Sequence, residues 1–293
     1  MPHDHHLTVG SFLISGSLFL IGLAYLRQWM RVAWLVPDGV KGWRACTFFV
    51  GLLLVWVALG TSLAVLDHQS LTAHMVQHLL LMTVAPPLIL LGVPWKLLPE
   101  RPAERLVELI ARALRSAPIQ HLGRVLAHPV VCWLGAAGTL VVWHVPAVFM
   151  LGIRSEMWHE IEQASFLATG LLFWWPVVQP WPTVSKWPES SMLLYLFLAT
   201  LPCDILSGFL VFCDRVIYPV FLSSSQSFGL SALEDQQCAG ALMWTCVTVV
   251  YLIAATIVAT RLLSPHRSEE RPMLQFESVR SAVGTAPHGM EAA

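Results

Sequence analysis

Seven stretches of about 20 predominantly apolar residues punctuate this chain, at about 9–26, 46–66, 71–93, 129–149, 158–178, 191–213 and 236–260. Each is long enough to cross the hydrocarbon core of a bilayer, which takes about 20 residues of helix. No water reaches backbone N–H and C=O groups there, so segments of this length fold as helices whose hydrogen bonds are internal. Charged residues make up 12% of the 293 and hydrophobic ones 56%, about half the charge of an average soluble domain. The expected fold is all-α: a polytopic membrane helix bundle of seven transmembrane helices over residues 1–263, surrounded by lipid.

The cations set the orientation. With the connecting segments assigned to alternate sides of the membrane, 15 of the Lys and Arg residues fall on one side and two, Arg154 and Arg215, on the other. The positive-inside rule then places the N-terminus outside and the C-terminus in the cytoplasm. The start, Met-Pro-His-Asp-His-His, lacks the cations of a signal peptide and no small-residue cleavage site follows, so the first span is expected to be retained. Between spans three and four, about 99–126, Leu106, Leu109, Ile110, Ala113 and Leu114 recur at helical spacing among Glu and Arg. This predicts an amphipathic helix on the cytoplasmic surface. Residues 264–293 turn to Ser, Pro, Arg, Glu, Gly and Ala, which predicts a disordered cytoplasmic tail. A net charge of -1 and no run of like charges exclude a nucleic-acid partner.

The polar residues within the spans gather at one level. His74 and His78 lie in the outer third of span three, His144 at the outer end of span four, His159 and Glu162 in the first turns of span five, and Asp235 and Met243 in the outer half of span seven. Ionisable groups inside a bilayer cost at least about 2.5–3.5 kcal/mol near a helix centre, so they face the bundle interior and mark function. His74, His78 and Met82 follow at i, i+4 and i+8 on one helix face. Imidazole binds zinc, copper and iron, and thioether or thiolate selects Cu(I), so this mixture with Met82, Met243 and Cys238 leans toward copper.

Structural readings stay open beside the metal one. His74 and His78 can tie helices together by hydrogen bonds, His144 and His159 can sit solvated at the interface, and Asp235 can cap span seven. Met82, Met243 and Cys238 can be packing residues. Asp204, well inside span six, reads as a paired or cavity-facing carboxylate supporting the cluster. Cys213 and Cys238 flank one loop, and their spacing leaves a disulfide undecided.

The motifs His74-Met-Val-Gln-His78 through Ala85-Pro-Pro-Leu88, Trp143-His-Val-Pro146, His159 through Glu162 followed by Gly170-Leu-Leu-Phe-Trp-Trp-Pro176, and Asp235-Gln-Gln-Cys-Ala-Gly-Ala-Leu-Met-Trp244 occur in that order. In this the sequence resembles the CtaG family of multi-span bacterial cytochrome c oxidase assembly factors, from about residue 45 to 260. The resemblance implies a non-enzymatic role in the bacterial plasma membrane, with oxidase subunits as partners and copper handled or delivered at the outer side. One position departs: the family pattern in span five often reads His-x-x-Glu-His, and Gln163 stands at its last place.

Two other function classes remain in view. A membrane electron-transfer protein could ligate haem iron through two of the histidines. An intramembrane zinc hydrolase is disfavoured because Met75 follows His74, so the His-Glu-x-x-His general base is missing. A retinal receptor is disfavoured by the lack of a lysine in span seven for a Schiff base.

Overall fold

A computed structural model describes residues 4–35, 42–61, 63–66, 69–93, 117–178, 187–222 and 229–264. Every regular element among them is helical: α1 (Asp4–Leu35), α2 (Gly42–Gly60), α3 (Leu63–Leu66), α4 (Leu71–Leu79), a π-helical stretch (Leu80–Val84), α5 (Ala85–Gly92), α6 (Ala117–Leu126), α7 (Pro129–His144), α8 (Pro146–Arg154), α9 (Glu156–Val178), α10 (Glu189–Phe212), a 3-10 turn (Pro219–Leu222) and α11 (Ala232–Leu263). The expected tail from 265 onward, and all of the expected surface helix except α6, lie outside the described residues.

Among the described residues, five helical segments are long and apolar enough to cross a membrane: Phe12–Trp34, Gly42–Gly60, Leu71–Gly92, Ser190–Phe212 and Ala232–Leu263. A sixth crossing is made if α7 and α8, bent by 78° against each other, count as one. The chain is thus an all-helical membrane protein with five to six candidate spans. Helix α9 has the length of a span, but Glu156, Glu160 and Glu162 crowd its first two turns and lower its hydropathy.

The α7–α8 break, placed inside one expected span at 129–149, follows from Pro146. A residue before proline is pushed out of the helical region, and Val145 is extended at φ -64°, ψ 124°. Pro146 then opens α8 at a position where its missing N–H costs nothing. The chain therefore turns immediately after His144, whose carbonyl accepts the Tyr218 hydroxyl at 2.8 Å.

Span three carries a second proline effect. In α-helical pairing the donor to the Met82 carbonyl is residue 86, and in π-helical pairing it is residue 87; both are proline and have no N–H. The carbonyl is orphaned in either register, and the Trp174 indole N–H from α9 fills the vacancy at 3.2 Å. Ala85 N–H reaches back to Leu80 O, so the helix widens by one residue at this point.

Packing relies on close backbone approach, as expected where lipid supplies no hydrophobic drive between helices. Helices α10 and α11 form the most extensive pair. A Cβ on Gly170 of α9 would lie 2.8 Å from both Cα and O of Met82. These are backbone atoms that cannot swing aside. Gly170→Val is therefore expected to force α9 off the π-helical stretch and to lower stability by about 1–3 kcal/mol, read as a fall in the thermal unfolding midpoint in detergent.

Candidate metal centre

Helix α4 begins at Leu71 with Ser70 as N-cap, whose hydroxyl accepts the Ala73 N–H at 3.4 Å. One and two turns on, His74 and His78 project from one face, and both are buried. Their Nε2 atoms lie 2.8 Å apart. Helix α9 crosses this face through Gly170 and brings Glu162 to it: Oε1 stands 3.5 Å from His74 Nε2 and 3.2 Å from His78 Nε2. His74, His78 and Glu162 offer ligand atoms all within 4.8 Å of one another. The other carboxylate oxygen, Oε2, lies 3.4 Å from His159 Nδ1.

Glu162 is 1% exposed. Its oxygens meet three imidazoles and make no conventional hydrogen bond, and a Cβ on Gly152 would lie 2.6 Å from Oε2. A buried carboxylate in so tight a setting needs a positive partner. That partner is either an imidazolium proton or a metal cation.

The donor set fits a metal. A tetrahedral ion with bonds of about 2.0–2.1 Å holds its ligand atoms about 3.3 Å apart. The two nitrogen–oxygen separations at 3.2 and 3.5 Å already match that spacing, and the two nitrogens need to open by about half an ångström. His159 stands one step back. The Gln163 side-chain nitrogen is 2.6 Å from its Nε2, and an amide nitrogen can only donate. The ring proton of neutral His159 therefore sits on Nδ1, facing Glu162. Gln163, one helical turn beyond His159, thus orients His159 toward the carboxylate.

Aromatic rings close the cluster. Phe149 packs on His74 at 4.9 Å between ring centroids, Tyr218 on Phe149 at 4.2 Å, and Phe166 stacks on His78 at 4.0 Å. Gln236 anchors the segment bearing Tyr218, accepting Ile217 N–H at 2.8 Å and donating to Arg215 O at 3.1 Å.

The remaining sequence candidates divide. Asp235 is buried beside α4 and accepts three hydrogen bonds at its start: Ser70 hydroxyl at 2.8 Å, Leu71 N–H at 2.7 Å and Thr72 N–H at 3.2 Å. It caps α4, while α11 is capped by its own Ser231–Glu234 box. Of the two readings open for Asp235, capping is realised on α4 and not on its own helix, and among the described residues no metal-binding trio includes it. His144 donates from Nδ1 to Leu140 O at 2.7 Å, and its Nε2 faces Met75 Sδ at 3.3 Å, one helical face away from the Glu162 oxygens. Met243 lies with Met82 in the wall of a small cavity next to His78 and His144. Cys213 and Cys238 are both free, and Cys238 is exposed, away from that cavity. Asp204 is half-buried with one carboxylate oxygen lacking a hydrogen bond, and lines neither this cavity nor the cluster.

Two residues of the region escaped the sequence reading. Met75 breaks a zinc-protease motif and Cys203 lies in an apolar run, yet both line the cavity. The signal for Met75 was its i, i+3 relation to His78; for Cys203 no local signal existed.

Searches of curated proteins and of solved structures give no match. The profile of one family, described as cytochrome c oxidase caa3 assembly factor (Caa3_CtaG), matches residues 23–264. That range contains every residue of the cluster and nearly all of the membrane part, and the chain belongs to this family of oxidase assembly factors.

Proposed function

We propose that the protein takes up copper at His74, His78 and Glu162 and hands it by ligand exchange to a cytochrome c oxidase subunit, catalysing no covalent reaction itself. The observation that carries this reading is Glu162, a buried carboxylate ringed by three imidazoles at 3.2–3.5 Å. Two nitrogens and one oxygen suit a divalent ion of the copper or zinc type, and membership of an oxidase assembly family favours copper as the cargo. The reading includes seven crossings of the bacterial plasma membrane with the N-terminus outside, supported by the split of 15 to two in Lys and Arg. The cluster then faces the outer side, where a copper-accepting subunit would meet it.

Haem is the other occupant to test. The cavity beside His78 and His144 has a volume of about 40 Å³, which does not admit a porphyrin as it stands. Full-length protein purified in detergent and equilibrated with Cu(II) is expected to carry about one copper per chain and to show no Soret band. The His74→Ala/His78→Ala variant is expected to lose that copper and to leave the oxidase copper-poor in cells. An unchanged copper content in this variant would rule out the cluster as the site, and a Soret band in protein from haem-replete cells would favour the haem reading.

A further inference from the structure

Adjoining the cluster, between α4, the π-helical stretch, α7, α9, α10 and α11, lies the cavity of about 40 Å³. Its wall includes four sulfur side chains, Met75, Met82, Cys203 and Met243, and two imidazoles, His78 and His144.

The polar atoms of this wall are arranged for something they do not yet touch. His144 gives its Nδ1 proton to the Leu140 carbonyl at 2.7 Å, because a carbonyl can only accept. In the neutral ring Nε2 is then a bare lone pair, and the atom facing it at 3.3 Å is the Met75 thioether sulfur, which also has no hydrogen. Two lone pairs confront one another with no proton between them. On the neighbouring ring, His78 uses Nε2 in the Glu162 cluster while its buried Nδ1 has no hydrogen-bond partner.

We infer that this cavity is a second metal site, selective for a soft monovalent ion of the Cu(I) class, with His144 Nε2 and Met75 Sδ as its first ligands. Bond lengths of about 2.0 Å to nitrogen and 2.3 Å to sulfur put the two donors about 3.5 Å apart around a tetrahedral ion, close to the 3.3 Å present. Met82, Met243 and Cys203 in the same wall supply further sulfur. Cys203 is the one of the four sulfur groups able to carry the negative charge that offsets a buried cation, and Ser207 Oγ lies 3.7 Å from its Sγ. The volume suits one small ion. A water molecule would need two to four polar partners there, and thioethers are weak acceptors.

The inference stands on the sulfur-lined wall and does not depend on copper at Glu162. An open apolar groove between α7 and α10 shares Trp133, His144 and Pro202 with the cavity, so the second site adjoins that groove as well as the Glu162 cluster.

The test uses Ag(I), a redox-inert soft ion, on full-length protein in detergent. To silence accessible thiols, Cys46, Cys213, Cys238 and Cys246 are first replaced by Ala, since none of them is buried. This background is expected to bind about one Ag(I) per chain by calorimetry. Adding Met75→Leu/Met243→Leu, a volume-conserving change, is expected to weaken binding at least about tenfold while the thermal midpoint and the Cu(II) content of the cluster stay in place. Glu162→Gln in the same background is expected to retain Ag(I). X-ray absorption of the Cu(I)-loaded background is expected to show sulfur scatterers. No Ag(I) binding in the background, or equal binding after Met75→Leu/Met243→Leu, overturns the second site and leaves the Glu162 cluster untouched; loss of Cu(II) binding alone overturns only the cluster.

Discussion

Asp235→Ala is expected to be the most destabilising single substitution in the bundle. The change removes the acceptor for the Ser70 hydroxyl and the Leu71 and Thr72 N–H groups, all at the buried start of α4. The first N–H groups of a helix have no partner within it, and here no water can replace the carboxylate. With a hydrogen bond to a charged group worth about 1.5–3 kcal/mol and orphaned donors left behind, the loss amounts to about 3–5 kcal/mol. It is read as a fall in thermal midpoint in detergent. Asp235→Asn, which keeps one acceptor oxygen, is expected to lose less stability and to keep its copper at low temperature. If Asp235→Asn instead abolished copper binding with the midpoint unchanged, Asp235 would be a ligand and the capping account would fail.

Glu162→Gln is expected to act in the opposite sense on stability and far more strongly on metal. The amide keeps the volume of the carboxylate but removes its charge and one lone-pair oxygen. Changes to residues that only hydrogen-bond a metal ligand already cost about 10–100-fold in metal affinity, so loss of a direct ligand is expected to cost at least about 100-fold in a Cu(II) titration. The metal-free protein is expected to hold or raise its thermal midpoint, because a neutral side chain among imidazoles escapes the desolvation burden of a buried anion. A purely structural ion pair predicts the reverse. In that case Glu162→Gln would destabilise by about 3–5 kcal/mol and leave copper binding as it was. Copper affinity is also expected to fall as the medium is acidified, since protons compete for the imidazoles and the carboxylate.

These two residues mark what could be read from the chain before folding. His74 and His78 declare themselves because four residues is one helical turn, and a pair of imidazoles in an apolar run has few other uses. Glu162 was legible for the same reason, as the carboxylate one turn from His159. Asp235 was not, because its partners lie about 164 residues away in sequence and belong to another helix's first turn. Its neighbour Glu234 had already taken the local capping role. The break after His144 was written in the Val-Pro dipeptide, yet a hydropathy window averages across it and returns one span. The same averaging treats α9 as a crossing like the others, although its first turns carry Glu156, Glu160 and Glu162, of which only Glu162 joins the cluster. The cavity is the least legible feature: its sulfurs come from α4, the π-helical stretch, α10 and α11, and only the folded bundle brings them together.

The Phe149 ring on His74, with Tyr218 and Phe221 packed against Phe149, would separate two quantities that a simple binding site combines. For an ion bound as proposed, equilibrium affinity would be set by imidazole and carboxylate, and dwell time by how often this aromatic cover lifts. Tyr218 is hydrogen-bonded to the chain break after His144, and its segment is fastened to α11 through Gln236, so the cover is coupled to the His144 end of α7 and the Gln236 end of α11. A partner that presses on those ends could therefore hasten departure without weakening a single ligand bond, and the dwell time would lengthen again once it let go.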